Sequence, residues 1–107
     1  MKTQLSFAEL FAIIQEKIAN QEVGSYSSTL ALEGIPKITR KIGEEAIEVV
    51  IAAFLNDKNN DEKSREELIG EVCDLFYHTL ILLAAKGINL DLILQEFARR
   101  NNKINKK

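Results

Sequence analysis

Glu44, Glu45 and Glu48 fall within two turns of the stretch "KIGEEAIEVVIAAFL" (residues 41–55), which otherwise reads as a helix built for a hydrophobic core. Carboxylates three or four residues apart on a helix are neighbours, and each such pair costs a few tenths of a kcal/mol even in water. Partial burial raises that cost unless something neutralises the charge. A second pair, Glu71 and Asp74, repeats the spacing of Glu45 and Glu48. Two antiparallel neighbouring helices would bring the pairs face to face around one cavity. Four hard oxygen ligands suit Mg²⁺, with Mn²⁺ as the alternative, and not zinc, which prefers nitrogen and sulfur. Mg²⁺ usually takes one or two carboxylates and completes its shell with water and phosphate. Four or five carboxylates therefore imply more than one ion, or one residue kept free as a base. Glutamate is also common on solvated helix faces, and a single "EExxE" would be read that way. Here each acidic sector turns apolar one turn later, at Ala52 and Leu55 and at Ile81, Leu82 and Ala85, which favours the metal reading.

Lys37, Arg40 and Lys41 occupy the first turns of the same helix, where the macrodipole disfavours positive charge. Lys37 and Lys41 project from one side and, with free backbone N–H groups, would suit a phosphate. Pairing of Lys41 with Glu44, Glu45 or Glu48 is an equally weighted alternative. The single histidine, His78, lies one turn after Asp74 and is expected to hydrogen-bond that carboxylate rather than to act as a ligand. Tyr77 and Cys73 fall off the acidic sector and read as packing residues. The di-iron "ExxH" pattern and a phosphate-cradling glycine loop are both missing from the sequence.

The elements that must position these groups are helical. Ser6 and Glu9 form a capping box for a first helix with Phe7, Leu10, Phe11, Ile14 and Ile18 on one face. Residues 20–35 read as a loop with one short helical turn. A second helix starts near Pro36 and runs to about Leu55. "NDKNNDEK" is a polar connector, and Ser64 with Glu67 offers a capping box for a third helix that ends at Gly87. Asn89 caps a fourth, with Leu90, Ile93, Leu94 and Phe97 as its inner stripe, and the basic tail 101–107 is expected to fray. Strand alternation is lacking, so the expected fold is all-α, a bundle of about four to five helices in one domain, residues 1–107. The second and third helices are apolar nearly all round, more than one small bundle can bury. A homodimer that completes the bundle is expected.

Composition narrows the class further. With 107 residues and 46% hydrophobic residues, the chain can bury a core. A formal charge of −2 argues against nucleic acid as a partner. The lone Cys73 permits no internal disulfide and fits a reducing compartment. The N-terminus is too polar for a signal sequence, and "AIEVVIAAFL" is too short to span a bilayer, so no membrane association is expected. A cytoplasmic location is expected.

"EEAIE" followed by "EVCD" resembles the EExxE–ExxD signature of the all-α (MazG-like) nucleoside triphosphate pyrophosphatase superfamily. "GSYSSTLALEGIPKITRKIGEEAIEVVIAA" and "DLFYHTLILLAAKGINLDLILQEFARR" resemble the phosphoribosyl-ATP pyrophosphatase family of histidine biosynthesis, over about Phe11 to Arg100. The resemblance implies Mg²⁺-dependent hydrolysis of phosphoribosyl-ATP, a small-molecule nucleotide, to phosphoribosyl-AMP and pyrophosphate. It implies metal ligation by Glu45, Glu48, Glu71 and Asp74, with Glu44 as an extra ligand or base, and a catalytic base at Glu45 or Glu48. It also implies that Lys37 and Lys41 meet the triphosphate and that Ser25 and Tyr26 bind substrate. Ser27 stands where the family usually has threonine, and Cys73 where it has a small residue. Many relatives carry the following cyclohydrolase in the same chain, an activity expected to reside elsewhere here. Two other readings remain at this point. One is a pyrophosphatase acting on free or damaged nucleoside triphosphates. The other is a helical metal-binding dimerisation module.

Overall fold

The computed structural model describes residues 2–105, which form five helices: α1 (Phe7–Ala19), α2 (Tyr26–Glu33), α3 (Ile35–Asn59), α4 (Glu62–Ala85) and α5 (Leu90–Asn105). The fold is all-α. The expected capping box opens α1: Ser6 accepts from the Glu9 N–H, and the Glu9 carboxylate accepts from the Ser6 N–H.

Residues read as loop contain α2, a full eight-residue helix. Its serines obscured it, because serine favours caps and turns by bonding the backbone in competition with a helix. Here Ser25 takes that role as the N-cap, accepting from the Ser28 N–H at 3.2 Å. Gly34 then turns the chain from α2 directly into α3 with φ 95° and ψ 174°, a region essentially closed to residues with a Cβ. That corner sets the end of α2 beside the first turns of α3.

α3 starts near Pro36 as expected, at Ile35, and runs past Leu55 to Asn59. Asn60 closes it in the left-handed region, φ 47°, which asparagine tolerates. The polar connector thus shrinks to Asn60 and Asp61. Asp61, not Ser64, caps α4, accepting from the Ser64 N–H at 2.9 Å. Ser64 lies buried inside the helix, bonded to Asp61 and Asn56, so no Ser64–Glu67 box forms. With so short a connection α3 and α4 must form an antiparallel hairpin. Counting outward from the turn at 1.5 Å per residue, Glu48 lies about level with the interval Glu71–Asp74.

α1 and α2 close one side of this hairpin over a core of Phe11, Ile14, Leu30, Ile38, Leu80 and Ile81. α4 ends with Gly87 in the left-handed region as expected, and Asn89 accepts from the Asp91 N–H at 2.9 Å at the start of α5. Among the described residues of α5 only Leu90 is buried, whereas Ile93, Leu94 and Phe97 of the expected inner stripe are exposed. α5 is described through Asn105, and the end of the tail expected to fray, residues 106–107, lies outside the described residues. Cys73 is exposed and does not pack within the chain.

Candidate active site

Two turns of α3 and two of α4 carry the acidic residues, and the hairpin brings the two groups together. Glu45, Glu71 and Asp74 each present an oxygen, and these lie within 4.8 Å of one another. Glu45 is only 7% exposed, and its Oε2 is buried with no hydrogen-bond partner. An ionised oxygen in that position carries a large desolvation cost unless a proton or a cation meets it. Burial, then the neighbouring Glu48 carboxylate, then the Asp74 charge raise the affinity of Glu45 for a proton, with His78 opposing. Contact with Glu48 pushes Glu71 up to about 7, with help from burial and from the Asp74 and Glu45 charges. Glu48 is exposed and stands beside both Glu45 and Glu71. The group fits a divalent cation on chemistry as well as spacing, since all its donors are carboxylate oxygens.

Glu44 is exposed and outside the three-carboxylate group. At one residue before Glu45 it points about 100° away around the helix. Glu67, one turn before Glu71, lines a cleft of about 250 Å³ with Glu48, Glu71, Ile51, Ala52 and Leu55. Spacing puts Glu67 on the same side of α4 as Glu71 and Asp74, but nothing in the spacing distinguishes it from a solvated glutamate.

A second cleft, about 280 Å³, opens at the α2–α3 corner and is lined by Tyr26, Thr29, Leu30, Glu33, Lys37 and Lys41. Lys37, Lys41 and Tyr26 are therefore brought together. Ser25 is buried as a cap, 3.0 Å from the Ser27 hydroxyl, and does not line the cleft. Neither lysine forms an ion pair among the described residues, so the alternative in which Lys41 pairs with a neighbouring glutamate is not realised. Glu33 and Thr29 were not identified from sequence, because the helix that carries them was not.

His78 links the two regions. Its Nδ1 is 2.6 Å from the backbone carbonyl of Asp74, not from the expected carboxylate. A carbonyl can only accept, so Nδ1 carries the proton. In the neutral ring Nε2 is then an acceptor, and the Tyr26 hydroxyl donates to it at 2.8 Å. Tyr26 thus spans from the lysine cleft to the backbone of the acidic helix. Desolvation raises its phenol above the usual range, with the Lys41 charge opposing.

A helical hairpin with facing carboxylate pairs beside a lysine-lined cleft has the make-up of an all-α pyrophosphatase. The chain belongs to the phosphoribosyl-ATP pyrophosphohydrolase family, whose model matches residues 7–101. A phosphoribosyl-ATP pyrophosphatase of Clostridium acetobutylicum is 43% identical over 94% of this chain and 86% of its own length. One from Clostridium botulinum (strain Kyoto) is 48% identical over 92% and 84%. One from Metallosphaera sedula is 41% identical over 86% and 91%.

Proposed function

We propose that this chain hydrolyses phosphoribosyl-ATP to phosphoribosyl-AMP and pyrophosphate in histidine biosynthesis, as a single-domain cytoplasmic homodimer using Mg²⁺. Beyond family membership, the observation that carries this reading is the buried, partnerless Glu45 oxygen facing Glu71 and Asp74. Glu45, Glu71 and Asp74 would hold the ion, with Glu48 at its edge. Bound there, Mg²⁺ (or Mn²⁺) would neutralise charge on the phosphate oxygens and on the leaving pyrophosphate.

The remaining steps belong to the chain's own side chains. Glu48, exposed beside the other carboxylates, orients a water and accepts its proton as the oxygen attacks the α-phosphorus. The α–β bridging bond breaks and pyrophosphate leaves. Lys37 and Lys41 hold an anionic group of the substrate, and Tyr26 walls their cleft. The apolar floor of the acidic cleft, Ile51, Ala52 and Leu55, limits water around the carboxylates.

The homodimer rests on surface. A compact 12.1 kDa chain exposes about 6,000 Å², whereas this one exposes 7903 Å². Its radius of gyration, 16.1 Å, exceeds the roughly 13 Å of a compact chain this long. The excess surface is apolar: Phe54 is 72% exposed, Phe97 64% and Ile47 62%. α4 is long and apolar enough to cross a membrane by length and composition. It also carries Glu71 and Asp74, ionisable groups that are costly in lipid, which favours a second copy over a bilayer as its cover.

Pyrophosphate release with Mg²⁺, compared between phosphoribosyl-ATP and ordinary or damaged nucleoside triphosphates, tests the reading. A strong preference for phosphoribosyl-ATP is expected. Equal hydrolysis of the others would replace the substrate, and no release from any of them would overturn the enzyme.

A further inference from the structure

We propose that the α2–α3 cleft binds a ribose 5-phosphate group, with its phosphate on Lys37 and Lys41 and its sugar hydroxyls on Glu33 and Thr29. Resting on the substrate reading above, this assigns the cleft to the part of phosphoribosyl-ATP that ATP lacks. It also revises the expectation that both lysines meet the triphosphate.

The composition of the cleft is the first reason. Two ammonium groups share it with a carboxylate, a hydroxyl, a tyrosine ring and Leu30. Glu33, Lys37 and Lys41 form no ion pairs among the described residues, so all three remain available to a ligand. A site for polyphosphate alone gains nothing from a carboxylate and loses by repulsion. A sugar phosphate uses both signs, because a carboxylate accepts hydrogen bonds from ribose hydroxyls while the ammonium groups meet the phosphate. Tyr26 cannot serve as a further phosphate donor without leaving Nε2 of His78, so it offers its ring as a wall.

Size and distance are the second reason. A cleft of about 280 Å³ lies below the range that encloses a drug-sized ligand, roughly 300–1,000 Å³. That volume suits a sugar phosphate, a fragment of a nucleotide. Along α3, Lys41 lies about 6 Å and Lys37 about 12 Å from Glu45. That spacing suits a substrate with anionic groups on both sides of the bond broken at the acidic centre.

The test is inhibition of phosphoribosyl-ATP hydrolysis by ribose 5-phosphate, ribose and inorganic phosphate, with wild type, Glu33→Ala and Lys37→Met. Ribose 5-phosphate is expected to compete at least about tenfold better than either fragment, and both variants to raise KM about tenfold with kcat little changed. Both side chains are accessible at the cleft, and circular dichroism checks that the variants fold. Ribose 5-phosphate no better than inorganic phosphate would overturn the proposal, as would loss of kcat at constant KM, the sign of contact with the reacting triphosphate. Direct titration with ribose 5-phosphate, read by fluorescence of the chain's two tyrosines, Tyr26 and Tyr77, separates this proposal from the reaction. Saturable binding without turnover would retain the cleft and remove the substrate assignment, whereas turnover without such binding would do the reverse.

Discussion

Glu71 has three carboxylates around it, and contact with Glu48 is the main cause of its rise from 4.5 to about 7. A carboxyl that binds its proton more tightly folded than unfolded stabilises the fold while protonated. That contribution is fully present below about pH 4.5 and is lost as pH rises through about 7. Burial gives Glu45 the same sign. The lowered Glu96, held at about 2 by Arg99 and Arg100, acts only at lower pH. Without metal, the melting temperature is therefore expected to fall between pH 4.5 and 7.5, and Mg²⁺ to restore it while releasing protons. A melting temperature flat across that window with chelator present would contradict the coupling. Glu48→Gln should flatten the profile and lower kcat by about 10²–10⁴-fold, the usual worth of a general base. Asp74→Asn should likewise abolish Mg²⁺-dependent turnover while helix content by circular dichroism stays intact. Unfolding of either variant would make these residues structural partners instead. The carboxylate pairs were legible because both depend on spacing within one helix. The choice of Glu45 as the buried member, and of the Asp74 carbonyl over its carboxylate for His78, depends on packing between helices and carried no such signal.

Among the elements, the α3–α4 turn shows where local pattern and outcome part. "SREE" has the composition of a capping box, yet Asp61 captures the Ser64 N–H and starts α4 earlier. Two N-cap candidates three residues apart compete, and the choice falls to the one that lets Asn60 close α3 and Ser64 pack inward. Asp61→Ala is expected to cost about 1 kcal/mol, or about 4–8 °C in melting temperature for a chain near this size. Glu67→Gln should cost no measurable stability, because no box depends on it. The reverse ranking in thermal melts would reinstate the Ser64 cap. α2 was hidden for a related reason. It spans only eight residues, and its place is fixed by the Ser25 cap and the Gly34 corner, whose conformation no periodicity reports. α1, α4's end at Gly87 and the Asn89 cap were readable because each is satisfied within a few residues of sequence.

At the scale of the whole molecule, the mismatch between hydrophobic pattern and burial is informative. α5 has an apolar stripe, Ile93, Leu94 and Phe97, that the single chain leaves open, and α3 leaves Ile47, Val50 and Phe54 open. The surface excess of about 1,900 Å² over a compact chain is more than the roughly 800 Å² each partner contributes to a standard interface, and so fits an obligate dimer. Sedimentation equilibrium is expected to give twice the 12.1 kDa chain mass. The melting temperature should rise with protein concentration, because unfolding is then coupled to dissociation. Phe54→Asp places a charge on the one aromatic residue of α3, which is exposed, and should shift the mass toward one chain while lowering the melting temperature. A dimer formed through this face of α3 would tie assembly to activity, since Glu48, Ile51 and Leu55 of the same helix line the acidic cleft. Dissociation of such a dimer would expose that apolar floor to water. Turnover per chain should consequently drop with the dimer fraction as the protein is diluted. A wild-type protein that sediments as one chain at every concentration, with constant turnover per chain, would refute the dimer and its link to the site.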